Sequence, residues 1–206
     1  PKSFTTAWFP LADEAIKRFR ENPRFCSIEL GQALRSGGWS MIVNERWSDA
    51  ERLQRASVEV FRAAGAGTDD ILETYRALLI VLDQLRKTDD YRQILKDRLA
   101  LARSDRNLEP SKLLDILMEL AEAEFSQAEG AETGRALYAE ALNLAQRRGD
   151  TRGRLSVQVR RCGTEIDKGD VRTGMSLAET LVGELETRQP GAGIDLRHPA
   201  LKLPGW

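Results

Sequence analysis

The most concentrated chemistry in this sequence is a group of six arginines. Arg147, Arg148, Arg152, Arg154, Arg160 and Arg161 fall within 15 residues, and Asp150 is the only acid among them. Guanidinium forks match carboxylate and phosphate oxygens in paired hydrogen bonds. The cluster therefore fits an acidic peptide or a phosphate, or else a solvated face that complements the dipole at the end of the preceding helix. Arg154 and Arg161 are seven apart and share a helix face, with Val157 between them. Little else could react. The single histidine, His198, stands in an irregular tail, and the two cysteines, Cys26 and Cys162, have no second metal-ligand type beside them. Gly65-Ala66-Gly67 leads into Thr-Asp-Asp without the third glycine of a dinucleotide fingerprint. Glu122 and Glu124 read as a solvated pair on a helix surface. An active site needs convergent groups in a pocket, so no catalytic residue, cofactor or metal is expected, and an all-α enzyme is the least favoured reading.

Composition narrows the partners. The chain has 206 residues, 41% apolar and 31% charged, enough for one or two domains with a core. Its formal charge is -1, so no global field draws nucleic acid, and no aromatics interleave with the arginines. No apolar run approaches the ~20 residues of a membrane helix. Two isolated cysteines fit the cytoplasm or another reducing compartment. The chain starts at Pro1 without Met, so a removed targeting peptide would leave no trace.

The elements that must position these residues are helices. Thr88 to Asp150 contains the same helix twice at an offset of 43, matching Arg92 with Arg135, Ile94 with Leu137, Leu99 with Leu142 and Ala102 with Ala145. Self-similarity at about 40 residues signals a helical solenoid, and Leu142 is expected in its core. Residues 1–47 are the least regular. A helix is expected over Leu11–Asn22, ended by Pro23, and a second apolar segment over Cys26–Leu34, stopped at Gly37-Gly38. Trp39 to Trp47 reads as strand or helix. This stretch is either an N-terminal cap for the first repeat or a hook of exposed tryptophans. From 48 the helices are clear. Ser48-Asp-Ala-Glu51 has the capping-box form, Gly65 suits a left-handed helix end, and helices alternate with short turns to about residue 188. The expected organisation is a cap or arm over 1–47, a helical repeat domain over 48–188 and an irregular tail over 189–206. The fold class is all-α.

These pairs resemble tetratricopeptide (TPR) repeats in a longer form of about 40 to 42 residues. Leu117, Leu120 and Ala121 with Gly134, Tyr138 and Ala141 carry the resemblance. Val159, Cys162 and Gly163 with Gly174, Ala178 and Leu181 follow it more loosely. Tyr91 and Arg98 depart from it, standing where the family has small residues. The resemblance implies a right-handed α-solenoid that binds a peptide or protein segment without catalysis. It places the first helix of each pair along the concave groove, which puts Glu73, Arg76 and Asp83, then Asp115, Met118 and Glu122, then Arg160, Thr164 and Asp167 on the binding surface. The partner would be a protein or peptide, with an acidic surface where it meets Arg154, Arg160 and Arg161. The alternative is a structural subunit held in a larger assembly through Trp8, Trp39, Trp47 and the tail ending in Trp206.

Overall fold

A computed structural model of the protein describes residues 2–188, with side chains over residues 8–186. Among these residues there are nine α-helices and no strand. They are α1 (Lys2–Glu21), α2 (Ile28–Val43), α3 (Trp47–Ala63), α4 (Thr68–Gln84), α5 (Thr88–Ser104), α6 (Pro110–Phe125), α7 (Ala131–Arg147), α8 (Thr151–Lys168) and α9 (Val171–Arg188). The expected tail, with His198 and Trp206, lies outside the described residues. The chain divides into two compact units, residues 1–124 and 125–206.

In the first unit α2 packs on α3, α3 on α4 and α4 on α5, and α2 also reaches α4. A backbone turn of one type reverses the chain between these helices. After α2, the Glu45 N–H donates to the Ile42 carbonyl and the Arg46 N–H to the Met41 carbonyl, at 3.0 and 2.9 Å. Ala66 and Lys87 repeat the longer-range bond to Phe61 and Leu82 after α3 and α4, each at 2.9 Å. This is the paired closure that satisfies orphan carbonyls at a helix end. It needs one left-handed residue, which is Gly65 (φ 66°) after α3, but Glu45 (φ 56°) and Arg86 (φ 57°) in the other two turns.

The expected break at Gly37-Gly38 is not there, and Trp39 to Val43 is helix. Alpha-helix interiors disfavour glycine by about 1 kcal/mol, yet α2 carries three glycines because its neighbours come close. A Cβ on Gly31 would lie 2.5 Å from the Phe61 ring of α3, and one on Gly38 would lie 2.5 Å from the Gln54 amide. Close approach brings polar pairing with it: the buried Ser57 hydroxyl donates to the Gly31 carbonyl at 2.8 Å, and Gln54 donates to the Arg35 carbonyl at 3.1 Å. Gly37 makes room for the Trp8 ring of α1. That helix starts at Lys2 rather than Leu11 and runs through Pro10. Proline there removes one backbone donor, while Ala12, Ile16 and Phe19 bury against Leu34, Met41, Leu53 and Ala56. The boundary expected at 47/48 falls at the start of α3, between two helices that pack directly on each other.

Ser48 is not an N-cap. The turn through Glu45 brings the backbone into helix at Trp47, so Ser48 sits inside the first turn of α3, and the cap residue Arg46 has no side-chain cap bond. Arg46 instead clamps Asp49, with contacts of 2.9 and 2.6 Å. Glu51, expected to close the capping box, binds Arg55 and Lys87 at 3.0 and 2.7 Å.

In the second unit α7 packs on α8 and α8 on α9. The α7–α8 turn repeats the closure, with Gly149 at φ 65° and the Asp150 N–H donating to the Ala145 carbonyl at 3.0 Å. Asp150 also caps α8, accepting from the Gly153 N–H at 2.8 Å. The internal repeat holds in burial: Ile94 and Leu137, Leu95 and Tyr138, Arg98 and Ala141, and Ala102 and Ala145 are all buried. Leu142 is half-buried where Leu99 is buried. Val159, which carries part of the looser resemblance, is exposed.

Two substitutions test these turns and contacts. Gly31→Ala should destabilise the chain by about 1–3 kcal/mol through overpacking against Phe61, although helix propensity alone favours alanine. Arg86→Gly should stabilise it by about 0.5–1 kcal/mol by removing left-handed strain from a residue with a side chain. Urea midpoints measure both, and a stabilised Gly31→Ala would show that α2 and α3 can move apart at no cost.

Candidate interaction surface

The arginine cluster does not form one face. Arg147, Arg148 and Arg152 are exposed at the α7–α8 turn. Arg154 and Arg161 turn the other way, toward the side of α8 that carries the buried Val157 and Glu165. Arg154 donates to Glu184 of α9 at 2.8 Å. Buried nitrogens remain without hydrogen-bond partners on both: Arg154 Nη2 and Arg161 Nε. The helical period explains the split. Arg154, Val157, Arg161 and Glu165 recur at spacings of three and four, so they lie on one stripe. Burial of Val157 and Glu165 carries the two arginines inward with them. Arg160 is half-buried beside this stripe.

The residues expected along the groove also separate. Glu73, Arg76, Asp83 and Asp115 of the first unit are exposed, and Glu122 is half-buried. Arg76 is occupied within its own unit, paired with Glu73 at 3.1 Å and lying 5.7 Å over the Trp39 ring. Met118 is not on an accessible surface: it is fully buried in α6 beside Leu117. In the second unit Asp167 is exposed but Thr164 is buried, where its hydroxyl donates to the Arg160 carbonyl at 2.9 Å and meets the Tyr138 hydroxyl at 2.8 Å. Both exceptions share a cause. Met118 sits four residues after Leu114 and three before Ala121, and Thr164 sits seven after Val157, so each shares a helix face with core residues.

Three groups that the sequence left unnoticed organise the surface. Glu124 is buried rather than solvated, held by Arg92 at 2.6 Å and Lys96 at 3.3 Å. Glu165 is fully buried and accepts two bonds from Arg135, at 2.7 and 3.0 Å, and one from the Asp170 N–H at 3.2 Å. Arg135 holds the Glu165 carboxyl below its usual range, against the upward push of burial, and Glu165 with Glu132 raises Arg135 in turn. Arg92 and Arg135 are the pair matched at an offset of 43, so this arginine-to-buried-glutamate clamp is itself repeated. The third group surrounds Tyr91. Its phenol is pushed up first by burial and then by the carboxylates of Glu119, Asp83 and Glu122, with Arg98 opposing. Acids from α4 and α6 thus converge on one half-buried tyrosine of α5. Arg98, which stands where a small residue was expected, is buried and paired with Glu119.

The three described tryptophans are half-buried. Trp8 and Trp47 pack against the first unit's core. Neither cysteine is in a disulfide, and burial pushes the Cys162 thiol up. No group of three or more histidine, cysteine, aspartate or glutamate residues among the described residues is placed to hold a metal ion. No described helix is long and apolar enough to cross a membrane.

Antiparallel helices packed in chain order, with small residues where they cross, define an all-α TPR-like helical repeat fold. Solved structures bear this out. A putative kinesin light chain with nearly identical TPR-like repeats from Podosopora anserina aligns with a TM-score of 0.64 and 16% identity, over 90% of this chain and 89% of that one. A singly substituted form of the same light chain aligns with a TM-score of 0.62, and BtubC (BKLC) from P. vanneervenii with 0.59, the latter at 19% identity over 91% of this chain and 74% of that one. No family model and no curated protein matches the sequence.

The clamp gives a test of the second unit. Arg135→Ala leaves the Glu165 charge buried without its partner, and should cost about 3–5 kcal/mol at neutral pH. Because the folded-state pKa of Glu165 is depressed, the pair's contribution is present above the ordinary carboxylate range. It is lost as pH falls through the lower folded value. The wild-type advantage over Arg135→Ala in urea unfolding should therefore shrink on acidification. An advantage that grows toward low pH would contradict the assignment.

Proposed function

We propose that the chain is a non-catalytic interaction module that binds a protein segment through the first unit, along the exposed side of α4 and α6. The observation that carries this is the convergence on Tyr91. Asp83 comes from α4 and Glu119 and Glu122 from α6, all three raise the phenol beyond what burial does, and Arg98, paired with Glu119, opposes them. Such a surface combines an aromatic edge with excess negative charge, which suits a segment bearing lysine or arginine beside an apolar residue. Glu73, Asp83 and Asp115 extend it with accessible carboxylates.

A second reading has its own support. Arg147, Arg148 and Arg152 are exposed around one turn of the second unit, and an acidic partner would find three guanidinium groups there. Arg154 and Arg161 do not contribute to that site, since they face the interior. A role as a scaffold subunit in a larger assembly is compatible with either surface.

The test is affinity capture at low and physiological salt, with wild type, Asp83→Asn with Glu122→Gln, and Arg147→Ser with Arg148→Ser. Exposed charges contribute modestly and are screened by salt. The carboxylate pair should lower recovery of the captured partner about fivefold at low salt and flatten the salt dependence. Recovery lost only in the arginine variant would move the site to the α7–α8 turn. Equal recovery by all three would remove both surfaces.

A further inference from the structure

The repeat of the buried clamp shows what α9 lacks. Arg92 is the fifth residue of α5, and Arg135 is the fifth residue of α7. Each grips a buried glutamate on the helix that follows it, Glu124 of α6 and Glu165 of α8. The fifth residue of α9 is Met175. The first residue of α9 is Val171, and the twelfth is Val182, where α5 and α7 have Leu99 and Leu142. On α9 these three residues, Val171, Met175 and Val182, are 56%, 51% and 45% exposed. The flank that seats the next helix in both earlier cases is therefore apolar on α9 and uncovered among the described residues. Val159 and Ile166 of α8 enlarge it, being 53% and 37% exposed. The two helices meet there, since a Cβ on Gly174 would lie 2.6 Å from the Ile166 side chain. Replacing arginine with methionine at the fifth position also changes what can sit on the flank. No buried acid is required of the incoming helix, and an apolar side chain is.

We propose that this flank is a self-association surface, on which α9 pairs antiparallel with α9 of a second copy about a two-fold axis. The sequence of α9 is complementary to itself in that arrangement. With the axis between Ala178 and Glu179, Met175 of each copy meets Val182 of the other. Arg172, Glu179 and Glu186 recur every seven residues and lie along the exposed edge of the same flank. In the same register Arg172 of each copy lies beside Glu186 of the other, which makes two ion pairs across one isologous contact. Glu179 lies near its own counterpart at the axis. That like-charge contact weakens the association and keeps it reversible. The inference rests on α9 and the adjoining residues of α8, and does not depend on which surface of the chain binds another protein.

Sedimentation equilibrium of the full chain from about 1 to 100 µM should show a reversible dimer. Met175→Glu with Val182→Glu should raise the dissociation constant at least about tenfold, with helix content by circular dichroism unchanged. Glu179→Gln should tighten the dimer. Should the apolar double variant lose helix content, the exposed charges decide the matter: Arg172→Glu weakens the dimer, and adding Glu186→Arg to it restores wild-type affinity. A chain that remains monomeric at about 100 µM overturns the proposal, even if a helix from another protein proves to bind there. A dimer that is indifferent to both the apolar and the charge substitutions overturns it equally.

Discussion

The closure between consecutive helices is the constraint on which the rest of the structure depends. A helix end leaves carbonyls that need donors, and in four turns here the donors come from the two residues after the cap. The bond from Arg46 to Met41, repeated by Ala66, Lys87 and Asp150, reverses the chain within three or four residues. So tight a reversal leaves each helix antiparallel to the one before and in contact with it along much of its length. Small residues at the crossings then follow as a requirement. Gly31 against Phe61 and Gly174 against Ile166 are places where an added Cβ would have no room.

How much of this is legible in the sequence varies with the signal. Alternating helices, their approximate ends from residue 48 and the all-α class follow from periodicity and from Gly65 and Gly149. The repeat between α5 and α7 is visible as matched residues, and the structure buries Ile94 with Leu137 and Ala102 with Ala145. Residues 28–43 defeat the ordinary reading of glycine as punctuation. Gly37 and Gly38 lie in a helix whose tolerance for them comes from Trp8 and Gln54, residues distant in sequence. Ser48 misleads for a related reason. Its spacing to Glu51 is that of a capping box, but the turn through Glu45 starts the helix one residue earlier. A left-handed glutamate has no distinctive mark in a sequence.

Reading the surface is harder than reading the fold. Sequence places residues on a helix face, but which faces are covered depends on how neighbouring helices pack. Met118 and Thr164 therefore fall on the groove side by position and are buried all the same. Arg154 and Arg161 point outward by residue type, since arginine is usually exposed, whereas Val157 between them indicates the opposite. The buried glutamates carry a usable signal. Glu124 and Glu165 lie 41 residues apart, close to the spacing of Arg92 and Arg135, and a charged pair recurring at the repeat distance is unlike a solvated surface. Convergence on Tyr91 carries none, since it requires α4, α5 and α6 to be placed first.

Packing in chain order has a consequence for how each unit forms. Its contacts join residues mostly from the same or the following helix, with α2 to α4 as an exception, so the mean sequence separation of touching residues is small relative to the unit's length. Chains with such local contact order cross their folding barrier in microseconds to milliseconds, because little loop-closure entropy is lost before the first stabilising contact appears. The clamps fit that order of events. Arg135 meets Glu165 only once α7 and α8 have closed on each other, so a charge is withdrawn from water after its partner is already at hand. Assembly can begin at any adjacent pair and spread outward, and no single helix within a unit has to fold first.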